Sequence, residues 1–386
     1  ANGNHITVSY NPMTFLPTIH AYKDAISTAV TLGLHRCVTE DTNQNLNAKQ
    51  KLLLCFHYRL GHIGFSTVQW LGRQGWLGSN GIKMGHANLA APKCAACLYG
   101  KQKCTPSPSK HSTQDPPGAL TKDKLTPGQL IFSDQYQSSV EGRGHDSFGK
   151  FAARKKFVGG TVFVDAASNF ISIHHQEGLT AAETIQSKQK FEQDSINAGV
   201  SVDAYHTDNG IYKSIDFLHA LSTNSQKIAF SGVDAQFQNG IAENAIKTVV
   251  SQARTIMLHA ALWWPEESNK TLWPLALSQA AHLYNRTPNR ESGMSPEEIF
   301  TSTRSDHHAL LHAHPWGCPV YVLDPTLRGG HKIPKWRPRS RRGQYMGASS
   351  DHSSTVGLIR NLSTNSITPQ FHAVYDDFFE TVHSGE

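Results

Sequence analysis

Two sets of side chains in this 386-residue chain have types and spacings that could do chemistry, one built on nitrogen and sulfur and the other on oxygen. His57 and His62 stand five positions apart, and Cys94 and Cys97 follow, the first of them 32 positions beyond His62. Two imidazoles and two thiolates suit tetrahedral zinc. The Cys-x-x-Cys spacing brings both sulfurs to one ion from a tight knuckle, and the His pair can come from one helix or its end. Four protein ligands leave no open position for water, so the expected ion is structural. Taken singly, each histidine reads as a surface polar group and each cysteine as a small buried hydrophobe. The four in this order carry the zinc expectation. Cys104, seven positions beyond Cys97, is a lower-ranked replacement ligand. Cys37, Cys55 and Cys318 have no partner at metal spacing and read as packing residues.

The oxygen set is Asp134, Asp208 and Glu243. Asp134 follows the apolar run Ile131-Phe132-Ser133 at the expected end of a strand, and Asp208 stands where Tyr205-His206-Thr207 gives way to Asn209-Gly210. Glu243 lies 35 positions further on, in the first turn of a helix opened by Gln238-Asn239-Gly240. Each acid alone reads as a turn cap or a helix-dipole partner. Asp165, at the end of Phe163-Val164, is read as structural, and Asn209 and Gly210 as shaping the turn. On the Glu243 helix, Lys247 at i+4 and Arg254 at i+11 fall near the same face, while Ile246, Val249, Val250, Ala253 and Met257 supply much of the buried side. A Glu-Lys pair at that spacing is also a common surface ion pair.

The elements that must position these groups follow from hydrophobic period and breakers. Thr105 to Gly128 is rich in proline and small polar residues and reads as a linker, and a second break lies near Thr301 to His314. Between them, short apolar runs at Gly128–Asp134, Gly159–Asp165 and Phe170–His175 predict strands, then a helix over Thr180–Ala198. A strand at Val202–Thr207, a helix near Ser214–Ser222 and a strand at Lys227–Phe230 come next. Helices over Gly240–Ala261 and Leu272–Tyr284 complete the series. Three strands followed by this alternation predict a mixed sheet flanked by helices, an α/β layered fold. Tyr136–Lys156 reads as a basic insertion, either a DNA-contacting hairpin or a loop.

Composition bounds the rest. No run of eighteen apolar residues occurs and Ala1–Tyr10 lacks the pattern of a signal peptide, so neither membrane spanning nor secretion is expected. Six uneven cysteines suit a reducing compartment. The net charge of +6 is mild, but basic residues gather in Arg154-Lys155-Lys156 and in Lys335 to Arg342, where Trp336 interrupts the charges. Such a run suits phosphates bound without reading sequence, a nuclear-localisation patch, or an exposed loop.

Together these motifs resemble the retroviral integrase superfamily, and within it the integrases of copia-type LTR retrotransposons. The resemblance runs over residues 50 to 380 or so, through the His-x4-His and Cys-x2-Cys pattern, Ser133-Asp134, Phe163-Val164-Asp165, Thr207-Asp208-Asn209-Gly210 and Gln238-Asn239-Gly240-Ile241-Ala242-Glu243. It implies an N-terminal extension (1–45), a helical zinc-binding domain (46–104), a linker (105–126), a ribonuclease-H-like catalytic core (127–300) and a basic SH3-like β-barrel (315–386). Asp134, Asp208 and Glu243 would then be a catalytic triad holding two magnesium (or manganese) ions for 3′-end processing and strand transfer. Asn239, Lys247 and Arg254 would face DNA, as would Lys335, Arg337, Arg339, Arg341 and Arg342 of the tail. The implied partners are the element's cDNA ends and target DNA, in a homo-oligomer, with no membrane or small-molecule substrate. The implied setting is the nucleus after assembly in virus-like particles. Two other classes stay open: an inert integrase-derived DNA-binding or scaffold protein, and a transposase or ribonuclease-H-like nuclease sharing only the core.

Overall fold

Local capping signals set several element boundaries in the computed structural model, which describes residues 8–10, 17–19, 43, 45–103, 125–145, 156–231, 239–328 and 330–382. Cys37, Cys104, Arg154, Lys155 and residues 105–124 of the expected linker lie outside the described residues. Near the N-terminus β1 (Val8–Tyr10) pairs antiparallel with β2 (Pro17–Ile19). Four helices follow: α1 (Ala48–Arg59), α2 (Phe65–Arg73), α3 (Gly78–Gly85) and α4 (Ala95–Gly100). A reciprocal box between Asn47 and Gln50 starts α1, satisfying two backbone N–H groups that a helix start otherwise leaves unpaired. Leu53, Phe56, Leu71, Leu77 and Met84 bury the apolar sides of these helices, and Leu310 joins them from far along the chain.

The middle of the chain forms a mixed five-stranded sheet. Its strands are β3 (Ile131–Arg143), β4 (Lys156–Asp165), β5 (Ile171–Gln176), β6 (Ala204–Thr207) and β7 (Lys227–Phe230), in the order β5-β4-β3-β6-β7. The first three strands are antiparallel neighbours, while β6 runs parallel to both β3 and β7. This is the mixed sheet that the sequence pattern predicted, in the ribonuclease-H-like arrangement that the resemblance implied. One face packs on α5 (Ala181–Asn197) and α6 (Ile215–Thr223) through Phe163, Phe191, Tyr205 and Phe217. Thr180 and Ser214 cap these two helices. The other face packs on α7 (Gly240–Trp263) and α8 (Trp273–Arg286) through Phe132, Val162, Val249, Ala276 and Ala280. A short helix α9 (Pro296–Thr301) starts with Pro296 and a Ser295–Glu298 capping box.

Two expectations need correction. Strand β3 does not end at Asp134 but continues through nine further residues to Arg143. The residues expected as an insertion after Tyr136 therefore belong in part to the β3–β4 pair, with Gly142 opposite Phe157 and a register slip between Gln137 and Gly142. Long-range contacts hold this extension: the Trp273 indole N–H donates to the Val140 carbonyl at 2.8 Å. Residues 146–155 lie outside the described residues.

The last strands, β8 (Pro319–Leu323), β9 (Ser340–Ala348), β10 (Gly357–Asn361), β11 (Ile367–Gln370) and β12 (Ala373–Tyr375), form an antiparallel sheet with β11 and β12 at its ends. This small β unit does not stand apart. Trp316, Met346, Leu358 and Ile367 share one apolar cluster with α7 and α8, and Gln279 of α8 accepts from the Ala348 N–H at 2.9 Å. Among the described residues no helix is long and apolar enough to cross a membrane.

Asp165 shows why one acid of the core serves structure. It is fully buried at the end of β4. One carboxylate oxygen accepts the Gly128 N–H at 2.8 Å, and the other accepts the Ser168 N–H and hydroxyl at 2.7 and 2.6 Å. Gly128 has φ +85°, and a Cβ there would stand 2.0 Å from the Ser201 carbonyl, so the loop tied down by Asp165 needs glycine. Asp165→Ala strands three buried donors and is expected to cost about 2–4 kcal/mol, measured by urea unfolding of the full chain. A loss below about 1 kcal/mol would remove Asp165 from this role.

Candidate functional site

Strand register brings the first two acids together. In β3, Phe132, Asp134 and Tyr136 point to the face covered by α7 and α8, because side chains alternate along a strand. Parallel pairing places Ser133 opposite Thr207, so Asp134 and Asp208 follow side by side where β6 ends. The chain leaves β3 toward β4 on one side and returns as β6 on the other, and such a switch point opens a crevice in α/β sheets. Glu243 enters from the first turn of α7. The Asn239 side-chain amide donates to the Ser133 carbonyl at 3.2 Å, fixing the start of that helix beside the two aspartates.

Asp134, Asp208, Asn239, Glu243, Lys247 and Arg254 all line one cavity of about 830 Å³. Lys101 and Lys103, just beyond α4, line it too. Sequence reasoning missed these two lysines, because nothing local in Lys101-Gln102-Lys103 indicates that α4 docks on α7. The docking is close: a Cβ at Gly100 would lie 2.5 Å from the Thr255 hydroxyl oxygen, so glycine is what lets the two helices touch. Lys101 also donates to the carbonyl of His62, and Arg254 to that of Gly100 at 3.4 Å.

The carboxylates are unequally placed. Burial pushes the Asp134 carboxyl up to about 6; the Gln135 N–H opposes this, and the negative charges of Asp208 and Glu243 add to it. Asp208 accepts from its neighbour, the Asn209 N–H, at 2.6 Å. Glu243 pairs with Lys247 at 2.9 Å on an exposed face, a contact worth at most about 1 kcal/mol and so readily exchanged for a cation. Hard oxygen donors on three separate elements suit a hard divalent cation such as magnesium. They line an open cavity; the close ligand cluster among the described residues is a different one.

That cluster is His57, His62, Cys94 and Cys97, whose ligand atoms all lie within 4.8 Å of one another. His57 Nε2 stands 3.2 Å from His62 Nδ1 and 3.3 Å from Cys97 Sγ, and His62 Nδ1 stands 3.4 and 3.7 Å from the two sulfurs. Ligands bonded to zinc at about 2.0–2.3 Å in a tetrahedron stand about 3.3–3.8 Å apart, so the cage fits. His57 Nδ1–H donates to the Ile63 carbonyl at 2.7 Å, which aims Nε2 inward. Burial lowers His62 to about 4, keeping the neutral form a metal requires. The Cys94 thiol and the two imidazoles hold Cys97 well below the usual thiol range. Cys55 and Cys318 are buried away from this cage, as packing residues would be.

The expected DNA-facing residues divide. Lys247 and Arg254 are exposed at the carboxylate cavity. Asn239, expected beside them, is 2 % exposed and acts at the β3–α7 joint. The tail residues lie elsewhere: the Arg342 guanidinium sits 5.6 Å from the Trp264 ring centre, at the C-cap of α7. Twenty-one helical positions separate Trp264 from Glu243, about 30 Å. Lys335, Arg337 and Arg339 are exposed, with Arg337 3.7 Å from Asp324. Arg341 is half-buried and its Nη1 is closed to solvent, because strand pairing places it opposite Val322. Only part of its guanidinium is therefore open for the phosphate contact expected of the run.

No family model matches the chain. It is similar to the retrovirus-related Pol polyprotein from transposon TNT 1-94 of Nicotiana tabacum, 25% identical over 298 residues, 76% of this chain and 20% of that protein. It is similar also to the retrovirus-related Pol polyprotein from transposon RE1 of Arabidopsis thaliana, 22% identical over 83% of this chain and 19% of that one. The chain thus spans about a fifth of the length of these relatives. Among solved structures, the HTLV-2 integrase catalytic core domain in complex with magnesium matches 46% of this chain and 98% of its own, at 20% identity and TM-score 0.31. The simian T-cell lymphotropic virus intasome in complex with PP2A regulatory subunit B56 gamma matches 65% and 83%, at 17% identity and TM-score 0.29. The relatives found by sequence are therefore retrovirus-related Pol polyproteins of plant transposons, in keeping with the resemblance to retrotransposon proteins.

Two outcomes are expected from this geometry. Cys97→Ser or His62→Ala lowers bound zinc from about one ion per chain to none and lowers the melting temperature, read by elemental analysis and calorimetry; full zinc content in both variants would reject the cage. Asp134 has a raised value, so its carboxyl is protonated below pH ~6, and a cation must displace that proton. Magnesium affinity should therefore fall between about pH 7 and pH 5, with proton release in wild type and none from that site in Asp134→Asn. Calorimetry in two buffers measures both, and a flat pH dependence would contradict the assignment.

Proposed function

We propose that the chain is a retrotransposon integrase, a polynucleotidyl transferase joining element cDNA ends to target DNA. The observation that carries this reading is the convergence of Asp134, Asp208 and Glu243, from three separate elements, on one cavity rimmed by Lys101, Lys103, Lys247 and Arg254. Carboxylates alone would repel a phosphodiester, and cations alone would only bind it; the mixture suits holding a phosphate beside metal-binding oxygens. The three acids would hold two magnesium ions, which when bound supply activation of an attacking hydroxyl and stabilisation of the leaving oxygen. Asp134, once deprotonated, contributes its oxygens from the sheet floor and Asp208 from the adjoining turn. Glu243 would hold the metal with them in place of its exposed pair with Lys247, and Lys247 would then be available to a phosphate oxygen.

In 3′-end processing the attacking oxygen comes from water, and in strand transfer from the freed 3′-hydroxyl of the element. The His57–His62–Cys94–Cys97 cage would hold one structural zinc ion, fastening α4 and with it Lys101 and Lys103 against α7. The basic run Lys335 to Arg342, whose Arg342 meets the far end of α7 at Trp264, would engage DNA backbone beyond the reacting phosphate. Joining two ends at once calls for a homo-oligomer, and the substrate places the work in the nucleus.

The test is strand transfer of a labelled duplex carrying the element's terminal sequence into plasmid with magnesium. Wild type should give joined product, and Asp208→Asn and Glu243→Gln should each reduce it by a factor of about 1000 or more while DNA binding persists. Wild-type chain that binds these ends yet neither cleaves nor joins them with magnesium or manganese would favour the inert DNA-binding class.

A further inference from the structure

Among the described residues, two buried imidazole nitrogens find no hydrogen-bond partner in the protein: Nε2 of His62 and Nε2 of His259. The two residues are 1 % and 2 % exposed, so neither nitrogen is left to bulk water. They belong to facing rings, whose centres lie 4.8 Å apart at an interplanar angle of 63°. Two imidazoles joined by one N–H···N bond stand about 5 Å apart on this measure, so the spacing is that of a bonded pair. Buried polar atoms without partners are costly and uncommon, and two on neighbouring rings call for one explanation.

The cage supplies it. His57 turns Nε2 to the cage and ties its outer nitrogen, Nδ1, to the Ile63 carbonyl at 2.7 Å. His62 turns Nδ1 to the cage, 3.2 Å from His57 Nε2 and 3.4 Å from Cys94 Sγ, which makes Nε2 its outer nitrogen. A histidine that gives the lone pair of one ring nitrogen to a metal carries its proton on the other, and that N–H takes an acceptor. Gly61 and His62 have φ of +67° and +61°, so the chain turns sharply at the end of α1, and the His62 ring lies against α7.

We infer that His259 of α7 is the acceptor for the Nε2–H of His62, a positioning residue for the four-ligand cage. The inference rests on the proposed zinc content of that cage. His259 gives the lone pair of Nε2 and keeps its own proton on Nδ1. The other rings around it are Tyr58 at 4.2 Å, Phe379 at 5.4 Å and Trp263 at 6.1 Å. They bound the space with aromatic faces, which accept far more weakly than a ring nitrogen. Leucine or phenylalanine would suit such surroundings on packing grounds; what an imidazole adds there is the acceptor. The bond joins the cage to the helix that carries Glu243 sixteen positions earlier, so metal binding and the seating of α7 become linked.

The test measures zinc binding by the full chain in competition with a chromophoric chelator. His259→Phe, which keeps an aromatic ring but no acceptor, should bind zinc about 10- to 100-fold more weakly than wild type. His259→Gln, whose side-chain oxygen accepts, should recover most of that loss. A packing role would order the variants the other way, because phenylalanine fills an apolar space better than glutamine. Nuclear magnetic resonance of zinc-loaded wild type, isotope-labelled at the histidine nitrogens, should find the His62 proton on Nε2 and the His259 proton on Nδ1, a reading that needs no variant to fold. Wild-type affinity in His259→Phe, equal losses in the two variants, or a His259 proton on Nε2 would overturn the inference while leaving the zinc cage standing. Wild type that binds no zinc would overturn both.

Discussion

Burial of α7 on three sides is the constraint on which the described structure depends. The helix has 24 residues, about 36 Å of length, and its first turn carries Glu243. Val249 and Ala253 bury it against the sheet, Gly100 of α4 meets it at Thr255, and Gly317 meets it at Ala260, where a Cβ on the glycine would come within 2.4 Å. Helical propensity alone does not hold a helix of this length in one place; its packed faces do. Glu243, Lys247 and Arg254 ride on this rod, the α4 lysines dock against its first half, and Arg342 meets Trp264 at its far end.

Charge is balanced locally along that rod. Three carboxylates in one cavity would repel one another and any phosphate, and the raised Asp134 is the record of that repulsion added to burial. Lys101, Lys103, Lys247 and Arg254 offset it without filling the space between the acids. The His57–His62–Cys94–Cys97 cage contributes at a distance. Its ligand His62 offers its backbone carbonyl to Lys101, while its ring lies 4.8 Å from that of His259 on α7. Order in the cage is thus order at the rim of the cavity.

Features governed by neighbours in sequence were legible from it. Thr180 and Ser214 announced helix starts, the strand Lys227–Phe230 ran where its apolar pattern placed it, and the His-x4-His and Cys-x2-Cys pair anticipated the four-ligand cluster. Features governed by distant contacts were not. The extension of β3 to Arg143 depends on Trp273, 130 positions or so away, and the entry of Lys101 and Lys103 into the cavity depends on a glycine fitting against Thr255. Asn239 was expected beside DNA through the family resemblance and Arg341 through the basic run it belongs to. What the sequence did not indicate is that Asn239 is buried at the β3–α7 joint and that Arg341 is half-buried by its place in β9.

The segment near residue 377 closes back on the first helices. Asp377 lies 3.4 Å from Arg59 of α1 and accepts from His314 at 2.8 Å, while Phe379, 1 % exposed, wedges beside His259 and Trp263. Arg59 and Asp377 are more than 300 positions apart. Contacts of such long sequence separation form late, because the chain between them must be ordered or closed first. On a ribosome the first helices would emerge early and α7 later, and His259 with its aromatic neighbours would stay uncovered until the segment around Phe379 had been made. A nascent chain stalled or cut before that point would expose an apolar seam along α7, the surface that chaperones recognise and that aggregation exploits.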